Sequence, residues 1–335
     1  MSDTLHQKIL GGVYGQALGD AFCMPALITM AETRKRYGRI TQFLPGGADH
    51  FVHHQLRAGQ ITDDTEQALW LARQFIADGK VSVEGSAKAI VGWFDAIDGE
   101  NVPYVGPSTR RAVNKIKAGV DLHTTGVGGD TNGAAMRVSV VGLIHPGDID
   151  AAAQDAALSA IPTHNTGVAC ASAAAIAGAV AMALKPEGEL RDVIFASMHA
   201  ASIGQHLGLN WLGASVQRRI DLAVSLARDN FGTDTDRLQA IYDLVGTGLA
   251  ASEAVPAAIG VVALAEGDPI TAAHLSAELS GDADTVGAMA CAICGAFKGV
   301  DAIPADMRQT LRQANPDYDF DQIAAGLYDL ARFHV

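Results

Sequence analysis

The sequence has little cysteine, few aromatic residues and a deficit of positive charge. It contains four cysteines in 335 residues, too few to cross-link a chain of this length. Aromatic residues make up 6% of the chain, and 37 acidic side chains outnumber 24 basic ones, which leaves a formal charge of −13. Because such a chain repels phosphate backbones and anionic lipid surfaces, we expect neither nucleic acid nor a membrane as a partner.

Signals for export and membrane insertion are also missing. Met1–Lys8 has no basic run followed by an apolar stretch and a small-residue cleavage site, so we expect a cytoplasmic protein with reduced thiols. Thr166–Leu184 is uncharged over about the length of a membrane span. It consists mostly of alanine, glycine and serine, whereas Leu, Ile, Phe and Val favour insertion, so we predict a buried helix there.

Apolar residues at helical spacing are abundant, and 49% of the chain is hydrophobic. Runs that alternate with a period of two are almost absent, which predicts an all-α protein. No proline- and serine-rich linker and no solenoid repeat divides the sequence, so we expect one domain over residues 1–335. The predicted helices lie near 6–22, 64–78, 85–98, 108–119, 149–159, 166–184, 190–203, 210–229, 235–247, 253–266, 271–279, 285–297, 306–314 and 319–332.

Glycines line one face of the first predicted helix. Gly11, Gly15 and Gly19 are four residues apart, and Gly287 and Gly295 share a face of a helix near the other end of the chain. Glycine lowers helix propensity, so this pattern predicts that helix axes approach closely there. The longest irregular segments are about 38–62 and 120–134, and loops of this length are more often functional than idle.

Two acidic clusters each precede an apolar helix, at Thr62–Thr65 (TDDT) and at Gly281–Thr285 (GDADT). Asp and Thr at helix starts cap the first amides and complement the helix dipole. Independent caps therefore remain one interpretation. Capping needs only one or two residues per helix, however, and four carboxylates near a core repel one another unless a cation pairs with them. We favour a metal site.

A site built from these clusters would offer hard oxygen ligands, which select Mg²⁺, Mn²⁺ or Ca²⁺ over zinc or copper. Two ions about 3.5–4 Å apart would balance four carboxylates and could activate a water molecule as nucleophile. The hypothesis is a binuclear hydrolase centre formed by two helix starts that are distant in sequence.

A glycine-rich loop at Gly126–Gly133 could present bare amides to a phosphate or a sugar hydroxyl. It has no Walker-type ending and follows no strand pattern, so we exclude an NTPase or a dinucleotide-binding fold; a plain loop with a helix cap remains an alternative. Taken alone, His164, ahead of the alanine-rich helix, is typical of a structural residue.

We interpret His50, His53 and His54, with Asp49, as part of a solvated loop rather than as a transition-metal site. Cys291 and Cys294 have no second pair to complete a zinc site, so we expect both in the core.

The motifs in combination resemble the ADP-ribosylglycohydrolase family, which includes the hydrolase that reactivates dinitrogenase reductase. The resemblance implies a compact single-domain orthogonal helical bundle and a binuclear Mg²⁺ or Mn²⁺ centre. It also implies cleavage of the bond between C1 of a ribose and an acceptor, such as an arginine nitrogen or a serine oxygen. The motifs run from about Ile9 to Ile303 and are Gly15-x-x-x-Gly19-Asp20-Ala21, Thr62-Asp63-Asp64-Thr65, Asn132-Gly133-Ala134-Ala135-Met136-Arg137, Pro162-Thr163-His164 and Gly281-Asp282-Ala283-Asp284-Thr285-Val286-Gly287-Ala288.

The resemblance also implies roles for residues of this sequence. Asp63, Asp64 and Asp284 are the expected catalytic carboxylates. His164 would lie along the bound ligand, and the loop residues Gly128, Gly129, Asn132 and Gly133 would contact it. The expected metal ligands are Thr62, Asp63, Asp64, Asp282, Asp284 and Thr285.

The sequence departs from the family pattern at two places. Many members carry a metal-reaching glutamate where this chain has Leu27, and Glu32 is a candidate substitute. Asp130 lies in the loop that cradles a diphosphate in some relatives, where a carboxylate would repel that group. These departures leave three hypotheses: a hydrolase of ADP-ribosylated side chains or small acceptors, a hydrolase of a smaller riboside such as a nucleoside, and a catalytically weak ADP-ribosyl- or nucleotide-binding protein.

Overall fold

The computed structural model describes residues 2–50, 52–230 and 232–332. Over these residues the fold is all-α, as predicted, with one isolated β-bridge between Thr131 and Ala250. The α-helices are α1 (Ser2–Cys23), α2 (Met30–Tyr37), α3 (Asp63–Asp78), α4 (Val83–Ala96), α5 (Pro107–Lys117), α6 (Leu122–Thr125), α7 (Gly133–Met136), α8 (Ser139–Leu143), α9 (Ile149–His164), α10 (Gly167–Ala183), α11 (Leu190–Gly204), α12 (Val216–Arg228), α13 (Asp234–Leu244), α14 (Ala251–Leu264), α15 (Pro269–Leu279), α16 (Ala283–Lys298), α17 (Ala305–Ala314) and α18 (Phe320–Ala331).

Helices α1 and α16 pack against each other along most of their lengths. Their glycines face one another, so that a Cβ built on Gly11 would overlap the carbonyl oxygen of Gly295, and one on Gly19 would overlap that of Gly287. This confirms the predicted close approach of helix axes. We call this contact the glycine seam, after Gly11, Gly15, Gly19, Gly287 and Gly295.

The alanine-rich helix α10 is buried along nearly its whole length and packs against α9, α11 and α14. The prediction of a buried core helix is confirmed. Nowhere in the described ranges is a helix both long and apolar enough to cross a bilayer. Cys291 and Cys294 are fully buried within α16, as expected of core residues.

Several helix boundaries differ from the prediction. Helix α2 was not predicted, because only Met30 and Thr33 of its eight residues are buried and it has no continuous apolar face. The predicted helix 210–229 begins at Val216, where the Ser215 hydroxyl caps the helix by accepting from the Arg218 amide. The predicted helix 149–159 continues to His164 through Pro162, and the segment 120–134 contains the short helix α6.

The order of helices explains where the polar residues meet. The seam brings α1 and α16 together, and α3 packs beside both of them. The first turns of α3 and α16 therefore lie close together, although they come from opposite halves of the chain. Both acidic clusters occupy these first turns.

Candidate active site

A cavity of about 400 Å³ opens between the first turns of α3 and α16 and the start of α5. Its lining combines acidic and apolar parts: the four carboxylates of both clusters on one side, and Ile28, Tyr104, Val105, Met136 and Leu249 among the apolar residues. None of the described residues that line it is lysine or arginine. The carboxylates are those of Asp63, Asp64, Asp282 and Asp284.

The first cluster is shaped by the N-terminus of α3. Thr62 is the N-cap residue, and its hydroxyl oxygen accepts from the Asp64 amide and donates to Asp64 Oδ2 at 2.9 Å. Asp64 Oδ1 is buried and has no hydrogen-bond partner. Asp63 Oδ2 accepts only a long bond, of 3.2 Å, from Gln67. The sequence interpretation of these residues as simple caps therefore accounts for Thr62 and not for the two carboxylates.

The second cluster is placed by a tight turn before α16. Gly281 has a φ of 76°, and the Asp282 amide donates to the Thr247 carbonyl at 2.8 Å. Neither carboxylate of this cluster is left alone: Asn132 donates to Asp282 Oδ2, and His53 Nε2 donates to Asp284 Oδ2 at 2.7 Å. Asp282 forms no side-chain cap, although it occupies the N-cap position of α16. Thr285 lines the cavity beside them.

The four carboxyls influence one another strongly. Burial raises the pKa of Asp63 and Asp64 well above the usual value, and the charge of Asp284 raises it further. The same two causes raise the pKa of Asp282 to about 7. Burial would also raise the pKa of Asp284, but the adjacent His53 lowers it below the usual value. The cluster thus combines one carboxylate that stays ionised with three that resist ionisation.

Asp20 is a fifth carboxylate that the sequence interpretation did not include among the site residues. It is fully buried on α1 and accepts from the Thr62 amide at 2.9 Å and from the Thr65 hydroxyl at 2.6 Å. Burial raises its pKa to about 7. It fixes the first turn of α3 from behind. A charged residue within the mostly apolar run Ile9–Met24 was the signal in the sequence.

His53 corrects the interpretation of the histidine triplet. The loop was expected to be solvated, yet the His53 side chain is only 7% exposed and lines the cavity, whereas His54 next to it is exposed. Burial alone would lower the pKa of His53, but the Asp284 carboxylate raises it above its ordinary value. The loop turns inward because His50 is also buried and its Nε2 contacts the Ala26 carbonyl oxygen at 3.0 Å.

The expected substrate residues are divided between the cavity and its wall. Asn132 and Gly133 line the cavity. His164 is fully buried behind them, where its Nε2 lies 2.9 Å from the Thr131 hydroxyl and its ring packs on Gly133. Burial lowers the pKa of His164 well below its usual value, so the ring is neutral. The structure therefore places His164 where it supports the residues that line the cavity.

The remaining loop residues lie outside the cavity lining. Gly129 packs on the backbone of His164, and Gly128 lies against the ring of Trp211. Asp130 Oδ2 accepts from Trp211 Nε1 at 3.2 Å, so this carboxylate is directed to the indole and does not line the cavity. The position of Asp130 therefore does not support a repulsive contact with a diphosphate in the cavity.

A buried arginine, Arg137, links the first acidic cluster to Thr163, the residue before His164. Arg137 is 1% exposed and donates to Gln67 Oε1 at 2.7 Å and to the Thr163 hydroxyl at 2.6 Å. Gln67 in turn donates to Asp63. Burial lowers the pKa of Arg137 to about 9, so the guanidinium stays charged near neutral pH and partly compensates Asp63.

Leu27 and Glu32, which bear on the missing family glutamate, both line a neighbouring cavity and not the acidic one. The Glu32 carboxylate is exposed and accepts from the Thr29 hydroxyl at 2.8 Å, where it helps to cap α2. The structure therefore gives no support to Glu32 as a substitute.

The donor set is of the kind that divalent cations such as Mg²⁺ and Mn²⁺ prefer, namely carboxylates and hydroxyls. Asp64 Oδ1 is buried and has no hydrogen-bond partner, so this oxygen is available to a cation. In the described part of the chain, no three His, Cys, Asp or Glu side chains are already arranged around one ion position. The carboxylates stay apart because they repel one another and because Asn132 and His53 bind Asp282 and Asp284. The chemistry of these donor atoms nevertheless fits Mg²⁺ or Mn²⁺.

Comparison with known proteins agrees with this geometry. The family model described as ADP-ribosylglycohydrolase matches residues 1–334. The chain belongs to the ADP-ribosylglycohydrolase family. The family supports a glycohydrolase that acts on ADP-ribosyl compounds, and the resemblance found in the sequence motifs is confirmed.

Individual relatives span the chain to different extents. "Uncharacterized protein YegU" of Escherichia coli (strain K12) is 38% identical over 325 residues, which is 96% of each chain. The ADP-ribosyl-[dinitrogen reductase] glycohydrolase of Rhodospirillum rubrum is 30% identical over 152 residues, covering 44% of this chain and 49% of the relative. A solved structure titled "ADP-ribosylglycohydrolase-related protein complex" has a TM-score of 0.69 at 21% identity, covering 98% of this chain and 99% of its own, and therefore shows the shared fold.

Proposed function

We propose that the protein is a metal-dependent glycoside hydrolase that cleaves the C1 ribosyl bond of an ADP-ribosylated protein side chain or small acceptor. The observation that carries this proposal is the meeting of two acidic pairs from opposite halves of the chain in one cavity. Burying four carboxylates together is costly without a cation. A structural role for them would be served better by neutral caps.

The proposed cofactors are two divalent cations, Mg²⁺ or Mn²⁺. When bound, they would supply Lewis-acid activation of a water molecule and a hold on the ribose hydroxyls. The residues that would hold them are Thr62, Asp63, Asp64, Asp282, Asp284 and Thr285. Of these, the four aspartates and Thr285 line the cavity, and Thr62 holds Asp64 in place.

Hydrolysis requires that a water oxygen bond to C1, that the bond from C1 to the acceptor break, and that a proton reach the departing nitrogen or oxygen. We assign the proton transfer to Asp63, because it lines the cavity and its Oδ2 accepts only one long hydrogen bond, from Gln67. Asp284 keeps its charge beside His53 and is suited to stabilising positive charge that develops on the sugar. Asn132 and Gly133 would contact the ribosyl part of the substrate.

A smaller riboside, such as a nucleoside, is the second candidate substrate. The observation in its favour is the absence of lysine and arginine among the described residues that line the cavity. A diphosphate bound there would find no cationic side chain to pair with. The apolar side formed by Ile28, Tyr104, Val105 and Leu249 suits an uncharged aglycone.

The test is an activity assay on metal-depleted protein with Mg²⁺ or Mn²⁺ added back. The substrates are ADP-ribosyl-arginine, ADP-ribosyl-serine and a panel of plain nucleosides, and the released sugar is measured. Ion-dependent release of ADP-ribose is the expected result. Release from nucleosides alone would transfer the proposal to the second candidate.

Two variants complete the assay. Asp284→Ala should abolish turnover and metal binding while the protein remains folded, and the exposed Asp301→Asn should behave as the wild type. Full activity of Asp284→Ala with unchanged metal stoichiometry would contradict the assignment. Binding of ADP-ribose without turnover of any substrate would favour the catalytically weak binding protein.

A further inference from the structure

His53 has a position that the proposed metal centre does not yet explain. Its ring lies inside the acidic cavity, with Nε2 at 2.7 Å from Asp284 Oδ2, and the side chain is 7% exposed. It belongs to the irregular segment between α2 and α3, which also lines the cavity with His50 and Val52.

The backbone, and not chance packing of a loose loop, sets the position of this ring. The His53 amide donates to His50 Nδ1 at 2.9 Å, and the Leu56 amide donates to the His53 carbonyl at 3.1 Å. A Cβ built on Gly46 would overlap that same carbonyl, so only glycine allows the loop to close there. Three contacts thus hold the His53 backbone against the cavity.

The His53 ring is hydrogen-bonded through one of its two nitrogens only. A buried structural histidine normally uses both ring nitrogens in hydrogen bonds. His53 Nδ1 is buried and has no hydrogen-bond partner, so the one polar partner of the ring is Asp284. The Asp284 carboxylate alone holds the proton on Nε2, and a cation bound next to that carboxylate would displace this proton.

We propose that His53 is a nitrogen ligand of the metal centre, bound through Nε2 next to Asp284. The inference rests on the proposed function and deepens it. Donor atoms 2.7 Å apart can share one ion at the usual metal–ligand distances of about 2.0–2.2 Å. The donor set is then mixed nitrogen and oxygen, and imidazole favours transition metals over Mg²⁺. The centre should therefore prefer Mn²⁺ to Mg²⁺.

The experiment uses full-length, metal-depleted protein loaded with Mn²⁺. Pulsed electron paramagnetic resonance of the wild type should show coupling of Mn²⁺ to a ¹⁴N nucleus, and this coupling should be lost in His53→Gln and His53→Ala. Calorimetric titration should show that Mn²⁺ affinity falls by at least about 10-fold in both variants while Mg²⁺ affinity falls less. His54→Ala, in which an exposed neighbour is changed, should match the wild type.

Other results would overturn the inference, provided that thermal unfolding of the metal-free variants shows that they fold. A wild type that binds Mn²⁺ without ¹⁴N coupling would show that His53 only orients Asp284, and the metal centre would stand. Coupling that persists in His53→Gln would assign the nitrogen to another residue. A wild type that binds no Mn²⁺ or Mg²⁺ would overturn this inference together with the proposed function.

Discussion

Helices α1 and α16 form two regions of opposite character along one contact. In the glycine seam, Gly11, Gly15 and Gly19 of α1 pack directly on the backbone of α16, and these contacts leave no gap between the two helices. One turn further along α16 toward its N-terminus, the same helix carries Asp284 into a cluster of like charges, and Asp64 Oδ1 facing that cluster has no partner. The seam is fully packed within the protein, whereas the acidic cavity contains a buried carboxylate oxygen without a hydrogen-bond partner.

The rigid packing of α1 and α16 explains how the fold holds carboxyl groups that repel one another. Close backbone packing tolerates almost no change, so the helices cannot separate to relieve the repulsion among the carboxylates. Asp20, one residue after Gly19, extends the rigid region up to the Thr62 amide. The packing of the seam therefore stabilises the fold, and part of this stability offsets the free-energy cost of holding the carboxyl groups close together.

The largest expected effect comes from breaking the seam. Gly19→Ala places a methyl group against the backbone of Gly287, which cannot move aside, and should lower the free energy of unfolding by about 3 kcal/mol. Chemical denaturation measures the loss. Gly188→Ala is the matched control, because the nearest atom to a Cβ there is 3.5 Å away, and it should be nearly neutral. Equal stabilities of the two variants would contradict the account of the seam.

The second prediction concerns Asp64 in the acidic cavity, where stability and turnover should change in opposite directions. Asp64→Asn replaces a carboxyl whose ionised form is disfavoured in the fold by a neutral amide that keeps an acceptor for the Thr62 hydroxyl, so the metal-free protein should be more stable by about 1 kcal/mol. Turnover should fall by about 100-fold or more, because a proposed metal ligand is lost. Thermal unfolding with a chelator and the release assay measure the two changes. Destabilisation of the metal-free variant would show that the cluster is not strained.

The third effect is the dependence of stability on pH. The folded pKa of Asp20 and Asp282 is about 7 against an ordinary value of 3.8, so between these values the folded state binds more protons than the unfolded state. Stability that these groups contribute is present below the unfolded pKa and is lost as pH rises through the folded one. The metal-free protein should therefore lose stability from about pH 4 to 7. Denaturation at several pH values should give a shallower dependence for Asp282→Asn.

The smallest effect is expected from Asp130, which lies outside the cavity lining. Because Asp130 is directed to Trp211 and does not line the cavity, Asp130→Asn should change KM for an ADP-ribosyl substrate by no more than about 2-fold. Steady-state kinetics at low and high salt provide the measurement. A fall in KM of about 10-fold or more would show that the carboxylate repels a bound diphosphate after all.

Much of the fold could be predicted because apolar periodicity records which face of a helix is buried. It predicted α1, α3, α10 and α16, whose buried faces are continuous, and it missed α2, which depends on the Thr29 cap and has only two buried residues. Periodicity also extended the predicted helix 210–229 beyond its observed start, because a hydroxyl cap at Ser215 acts locally and leaves little trace in hydrophobicity.

The candidate site was predictable in its acidic pairs and not in its neighbours. The four aspartates lie in two short motifs, Asp63-Asp64 and Asp282-x-Asp284, so the sequence alone reveals them. The burial of His53 results from its contact with Asp284, which is 231 positions away in the sequence, and from the closing of its loop at Gly46; no pattern of residue types predicts either contact. Expectations of metal binding and of substrate contact remain predictions for the experiments above.

The buried Asn315 side chain has a consequence for how the protein is made. It accepts from the Ile61 amide at 3.1 Å and donates to the Gly59 carbonyl at 2.8 Å, so a residue just after α17 holds the segment that leads into Thr62. A ribosome delivers the N-terminal carboxylates long before this anchor. The nascent chain thus carries half of the cavity without its final support, and the cavity should be completed only when synthesis is nearly finished.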